Sequence, residues 1–401
     1  MVKIRSCWNK IIKLQKLSEG KCSRKGEFIM LTRKRFWGSI NSVVFCMAII
    51  AVLVFGPNTV QAKKVYRMKF NTQMPAGDAW SIAQKWYFDN VMKNSNGRLK
   101  FQYFYSGSLT KVGEDLHAIN SGLQDIGLIS PGYTPTQLPL SLGMDLSYTS
   151  LAADAKSKAI LAMYKESQML RDEWTKKNNC KLLFTSPADI LGFFSRVDMP
   201  TLASVKGKKV RTYGMVADAL ARLGGTPVSL PISGSYEAAS RGIVDAVSGM
   251  GLASGWIYKM HEPCPYVVDI GYGQYCQPYL AMNLDLWNSL PKDLQQLFMD
   301  WVPKEIDYTT KLFEQKEKEA IEGFLNAGIS VKRWSDSDKA KARQLVQPAQ
   351  VNAWIKKQAK TGLDPEKTKA FTERYLELLK NYEGKSTFVD GFTYWQNKYG
   401  K

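Results

Sequence analysis

Three stretches of this sequence predict an α/β protein built as two related lobes. The first is Val205–Met250, VKGKKVRTYGMVADALARLGGTPVSLPISGSYEAASRGIVDAVSGM. It reads as a strand at Lys208–Thr212, a helix at Met215–Leu223 with Val216, Leu220 and Leu223 on one face, and a strand at Thr226–Leu230. The second, Val65–Tyr105, repeats that order of strand, helix and strand. The third is an internal echo: Ala118-x-x-x-Gly122-x-x-Asp125 recurs as Ala238-x-x-x-Gly242-x-x-Asp245, 120 residues later. Each copy reads as a helix closed by glycine and a turn into a strand. A chance match of three common residue types stands equally against it.

Arg33-Lys34-Arg35, the 13 apolar residues Val43–Phe55, and the small-residue site Val60-Gln61-Ala62 follow one another in the order of an export signal. Cleavage is expected after Ala62. The apolar run covers only about 20 Å as a helix, short of a ~30 Å hydrocarbon core, which argues against a retained anchor. Cys46 sits in that run, but Val43-Val44-Phe45 is not a lipoprotein box. Residues 30–62 therefore read as the signal. Residues 1–29 read as a leader upstream of the true start, Met30, the alternative being a basic cytoplasmic extension.

Along the chain, Tyr66, Met68 and Phe70 alternate in the first strand, Val65–Asn71. Asp78 is placed to cap a helix from Ala79 that turns Ile82, Ala83, Trp86 and Met92 inward. Asn96-Gly97 turns the chain into Leu99, Phe101, Tyr103 and Tyr105, a second alternating strand. Ala152–Lys177 reads as helix and Lys181–Thr185 as strand, and Leu191–Pro200 is expected to cross between lobes. In the first stretch Gly214 allows a tight exit, and Gly224-Gly225 closes the helix because glycine tolerates positive φ. Further on, Leu294–Trp301 is helical, Pro303 should kink or end it, and a charged helix runs from about Glu305 to Asn326. Asp364-Pro365 opens a last strong helix.

The chain has 401 residues, 45% of them hydrophobic, enough for two domains, and a net charge of +19. From Lys63 onward the net charge is +10, so about half the excess lies in the signal and leader. A modestly basic exported protein suits anionic solutes or lysine-rich solvated helices, and export excludes nucleic acid as a partner. Cys180, Cys264 and Cys276 remain after cleavage, an odd number; Cys264 and Cys276 could bridge, a question left to geometry. His117 and His261 lie far apart, and no zinc, haem, iron–sulfur, nucleophile-elbow or phosphate-loop pattern is present, so no metal or cofactor is expected.

Arg211 ends the first strand of the Val205–Met250 stretch, beside a helix N-terminus. Ligands gather there in open α/β sheets, and a guanidinium matches a carboxylate bidentately. By position alone a surface arginine is equally consistent. The surrounding V-K-G-K-K-V-R, L-G-G-T-P-V-S-L-P and Y-E-A-A-S-R-G-I-V-D-A resemble the central signature of the TRAP-transporter solute-binding proteins of DctP type. Tyr279–Pro291, YLAMNLDLWNSLP, resembles a second family motif, and the likeness extends from about Val65 to Tyr382.

The resemblance implies a periplasmic-binding-protein-like clamshell with crossing segments, a long connecting helix and a helical C-terminus. Lobe I would take 63–188 and about 276–315; lobe II and the C-terminal helices would take 189–275 and about 316–401. It implies a periplasmic location, capture of an organic acid with Arg211 on its carboxylate, delivery to TRAP membrane permease subunits, and no catalysis. The chain is read as a monomer. Other cleft candidates are Gln73, Glu114, Tyr133, Tyr236 and Trp256, although Tyr236 and Trp256 read more readily as packing and Glu114 as a helix-terminus charge. Leu191 stands where the family commonly has a second arginine, leaving Arg196 as the nearest, and Gly249 replaces a family asparagine. The departures favour a monocarboxylate with an apolar or aromatic body over a dicarboxylate reaching Arg196. A ligand-binding partner of a membrane sensor is the alternative function. An exported enzyme is a weaker one, because no nucleophile–base or paired-carboxylate constellation is legible.

Overall fold

One local unit, used twice, organises the computed structural model, which describes residues 64–274 and 278–400. The leader, the signal with its cleavage site, and Cys276 lie outside the described residues. Before the first crossing the described residues form β1 (Tyr66–Asn71), α1 (Ala79–Asn94), β2 (Leu99–Phe104), α2 (Asp115–Asn120), β3 (Ile126–Ile129), α3 (Pro139–Gly143), α4 (Ala153–Glu166), α5 (Gln168–Thr175) and β4 (Cys180–Thr185). Then come β5 (Phe193–Ser195), β6 (Lys209–Thr212), α6 (Gly214–Arg222), β7 (Thr226–Ser229), α7 (Ser235–Ser240), β8 (Ala246–Val247), α8 (Leu252–Ile257) and β9 (Tyr266–Asp269). The chain returns through β10 (Tyr279–Asn283), α9 (Leu284–Ser289) and α10 (Lys292–Asn326). It ends with β11 (Ser330–Arg333), α11 (Asp336–Ala359), α12 (Pro365–Glu383) and α13 (Gly391–Tyr399).

Lobe I carries the sheet β2–β1–β3–β10–β4 and lobe II the sheet β7–β6–β8–β5–β9–β11. In each, the first three strands are parallel and the fourth, β10 or β5, is antiparallel. The echo is structural. Gly122 and Gly242 end α2 and α7 at φ 73° and 70°. The Asp125 carboxylate accepts from Lys69 N at 2.7 Å, and that of Asp245 accepts from Lys209 N at 2.8 Å. Asn71 and Arg211 therefore occupy matching places, each two residues beyond the strand lysine and paired with β3 or β8.

The crossing falls at residues 186–192, earlier than Leu191–Pro200, because β4 ends in one sheet at Thr185 and β5 begins in the other at Phe193. On α1 the core face is Ala79, Trp80, Ala83, Tyr87, Phe88 and Val91; Ile82, Trp86 and Met92 are only half-buried. Ser167 breaks the expected long helix by capping Leu170 N, giving α4 and α5. Pro303 does not end its helix: α10 runs unbroken for 35 residues, about 52 Å at 1.5 Å per residue. Tyr87 Oη donates to Phe298 O at 2.8 Å, supporting a carbonyl in the turn that the proline disturbs. α10 packs Phe298 and Phe313 into the lobe I core and Ile321 and Phe324 into that of lobe II. α12, one of the C-terminal helices, lies along α4, with Arg374 paired to Glu166. Among the described residues no helix is long and apolar enough to cross a membrane. Cys180 and Cys264 are buried, and among the described residues neither forms a disulfide.

Candidate functional site

The strand ends of the two units meet at a cavity of about 50 Å³, room for a few waters, with both lobes in its wall. Lobe I contributes Gln73, Asp115, Tyr133 and Thr134. The crossing contributes Asp189 and Leu191, and lobe II contributes Tyr213, Ile232 and Gly249. A short helical turn, Pro131–Tyr133, carries Tyr133 across to lobe II. Gly132 permits the approach, since a Cβ there would come within 2.7 Å of the Tyr213 ring. Tyr133 then stacks on Tyr213 with centroids 4.2 Å apart.

Arg211 is fully buried behind this pair, its Cζ 5.2 Å from the Tyr213 ring centroid. Its Nε and one terminal nitrogen donate to Leu230 O at 3.0 and 2.7 Å. The other terminal nitrogen donates to Ser248 O and Gly249 O at 3.2 and 3.3 Å. The remaining donor meets Tyr133 Oη at 2.9 Å. Among the described residues every acceptor on this guanidinium is therefore neutral. Gly249 takes φ 65°, a backbone state that places its carbonyl on Arg211 and that a side chain would strain.

On the lobe I side Asp115 is 3% exposed. Asn71 Nδ2 and Gln124 Nε2 donate to its Oδ1 at 3.1 and 3.2 Å, whereas among the described residues Oδ2 receives only Gln73 Nε2, at 3.4 Å. Burial pushes its carboxyl up to about 6 despite those donors. Asp189 is pushed up to about 6 by burial. Asp78, the cap of α1, reaches about 7 through burial and then the nearby Asp189 carboxylate.

The expected residues divide cleanly. Tyr133, Gln73 and Gly249 line the cavity with Leu191, and Arg211 lies directly behind them, bonded to Tyr133 Oη and Gly249 O. Glu114 does not: it is exposed at the start of α2 and accepts from Lys111 N, while its neighbour Asp115 faces the cavity. Arg196 is exposed beside Gly242, at the entry end of β6 rather than its exit. Tyr236 is at the surface, hydrogen-bonded to Glu262. Trp256 stacks on His261 and meets Phe324 of α10 edge-on, so it is a packing residue, and neither aromatic lines the cavity. Sequence reading missed Asp115, Asp189, Thr134 and Tyr213. Only Tyr213, two residues after Arg211, had a usable signal.

A model of the family described as bacterial extracellular solute-binding protein, family 7 (DctP), matches residues 70–357. A monocarboxylate 2-oxoacid-binding periplasmic protein of Nostoc sp. strain PCC 7120 is 24% identical over 242 residues, 58% of this chain; the match spans 64% of that protein's length. A TRAP periplasmic solute-binding protein of Desulfovibrio salexigens, solved in an open complex with the C-terminus of a symmetry mate in its ligand-binding site, is 25% identical. The alignment covers 82% of this chain and 99% of that one, with a TM-score of 0.68. A TRAP solute-binding protein of Rhodoferax ferrireducens, solved with copurified benzoate, is 20% identical over 80% of this chain and 99% of that one, with a TM-score of 0.70.

Proposed function

The chain belongs to the bacterial extracellular solute-binding proteins of family 7, and on that premise we propose that it binds an organic acid between its lobes, with Arg211 on the carboxylate, and delivers it to a TRAP membrane permease. The observation that carries this reading is the Arg211 guanidinium, fully buried where the lobes meet and held only by neutral oxygens. A buried charge calls for a charged partner. Three carbonyls fix the fork from behind, and its outward donor is covered by a tyrosine of the opposite lobe. A ligand carboxylate takes the place of Tyr133 Oη, and the lobes part to admit it.

The body of the ligand lies against Tyr133, Tyr213, Leu191 and Ile232, which suits a flat or apolar monocarboxylate. The Nostoc and Rhodoferax proteins, named for monocarboxylate 2-oxoacids and solved with benzoate, support that class. The protein acts in the periplasm after cleavage behind Ala62, and does no chemistry on its ligand.

A thermal-shift screen across aliphatic, keto, aromatic and sugar mono- and dicarboxylates tests the ligand, and titration calorimetry of Arg211→Ala tests the contact. A best ligand without an anionic group, or full affinity in Arg211→Ala, overturns the site. Uptake of the hit into vesicles carrying the permease should require this protein. Mass spectrometry of the periplasmic form should find Lys63 at its N-terminus.

A further inference from the structure

We infer that the ligand of this cleft carries, besides the carboxylate at Arg211, a hydrogen-bond-donating group, hydroxyl or ammonium, which Asp115 receives from lobe I. This rests on the carboxylate reading above and adds the chemistry of the ligand's other end.

The matching place to Arg211 in lobe I is Asn71, and Asn71 is already committed. Its Nδ2 donates to Thr110 Oγ1 at 2.9 Å and to Asp115 Oδ1 at 3.1 Å. What lobe I turns toward the cavity is therefore the carboxylate that Asn71 holds. Oδ1 of Asp115 is crowded by donors, whereas among the described residues Oδ2 has only the long 3.4 Å bond from Gln73 and keeps acceptor capacity. Thr134, 2% exposed in the same wall, has a hydroxyl without a hydrogen-bond partner among the described residues, a second polar atom awaiting a ligand group.

The charges point the same way. Among the described residues no lysine or arginine lines the cavity itself, while Asp115 and Asp189 both do. A second ligand carboxylate would be buried against like charges, a strongly unfavourable arrangement. A hydroxyl or ammonium meets an acceptor that is mostly ionised at neutral pH, since burial pushes Asp115 only to about 6.

Matched sets separate these outcomes. One is benzoate, 3-hydroxybenzoate, 3-(aminomethyl)benzoate and isophthalate; the other is butanoate, 4-hydroxybutanoate, 4-aminobutanoate and succinate. Affinities are measured by calorimetry for wild type, Arg211→Ala and the isosteric Asp115→Asn. In whichever set binds, a donor-bearing member should exceed the plain acid by about ten- to a hundredfold, the value of a hydrogen bond to a charged group. The dicarboxylate should bind most weakly. Asp115→Asn should shrink the donor preference severalfold and improve the dicarboxylate relative to the rest. If that variant does not fold, the wild-type ranking decides alone. A plain acid or dicarboxylate binding best, with Arg211→Ala abolishing it, overturns this inference and leaves the carboxylate reading standing. Binding indifferent to Arg211, or none in either set, overturns both.

Discussion

Lobe I and lobe II share a scaffold and differ in what they do with it. In both, a helix ends in a positive-φ glycine, and an aspartate three residues on accepts a main-chain N–H from the neighbouring strand. Two residues beyond that N–H the strand emerges at the cavity, as Asn71 in one lobe and Arg211 in the other. Lobe II fixes its cation with main-chain carbonyls of Leu230, Ser248 and Gly249. Lobe I fixes its anion, Asp115, with the side chains of Asn71, Gln73 and Gln124. A main-chain cradle is rigid, and a side-chain cradle can be retuned by substitution. The repeat sets position, while two or three side chains beyond it set polarity.

The largest test of that asymmetry is a pair of alanines. Arg211→Ala should cost on the order of 3 kcal/mol of affinity, as a buried charge pair losing one member does. Asn71→Ala, at the matching place, should cost only about 1 kcal/mol, because it loosens Asp115 without removing a charge. Equal losses by calorimetry would break the comparison.

The pH dependence sharpens it. Desolvated carboxyls gather in lobe I and along the crossing: Asp115 and Asp189 rise to about 6, and Asp78 and Glu305 to about 7, burial being the first cause in each. Glu305 lies on α10 and accepts from Ser186 Oγ of the crossing at 2.7 Å. A carboxyl whose folded value is raised binds more protons folded than unfolded. Its contribution is present below the unfolded value near 4 and is lost as pH rises through the folded value. Melting temperature should therefore fall between pH 5 and pH 8, by the equivalent of about 2 kcal/mol for a single such group. The exposed carboxylates with lowered values, such as Glu166 and Asp293, titrate below this window and do not offset it. A flat or rising curve would mean these groups are better solvated than their burial implies. Glu305→Gln should flatten the slope.

Much of the lobe pattern was legible because it is local. Period-two strands, the Asp78 and Asp364 caps and the Ala–Gly–Asp echo all depend on residues a few positions apart. Arg211 was legible as a strand end. Asp115 was not, because neighbours at a helix start are swung about 100° apart, and Glu114 took the exposed position while Asp115 took the cavity. Asp189 lies in the irregular crossing, where no periodicity indicates which way a side chain faces. For Tyr236 and Trp256 the sequence only leans toward packing, because an aromatic suits a cleft or a core; the path of α10 brings Phe324 against Trp256, and Tyr236 lies at the surface.

Smaller effects test whether the scaffold is truly shared. Asp125→Ala and Asp245→Ala each remove one charge-assisted bond to a strand N–H. Each should lower stability by about 1–2 kcal/mol in urea titrations, with the two values alike. Gly122→Ala and Gly242→Ala should each cost about 1 kcal/mol for a side chain at positive φ. Gly242→Ala should cost slightly more, because a Cβ there meets the Arg196 guanidinium at 3.1 Å, whereas nothing lies within 4 Å of that at Gly122. Unequal aspartates would mean that one lobe has a support the other lacks.

Tyr133→Phe should have the smallest effect and the most informative sign. The phenol oxygen accepts from Arg211 at 2.9 Å across the lobes, while the ring stacks on Tyr213. Removing the hydroxyl keeps the stack and takes away one hydrogen bond to a buried charge. Stability without ligand should drop by about 1 kcal/mol or somewhat more. Affinity should hold or improve, because a ligand carboxylate no longer displaces the phenol to reach the guanidinium. If Tyr133→Phe weakens binding instead, the hydroxyl contacts the ligand rather than standing in its place, and lobe I contributes a donor to the carboxylate as well as an acceptor to the other end. Calorimetry on this one variant therefore decides whether the division of charge between the lobes holds at the carboxylate itself.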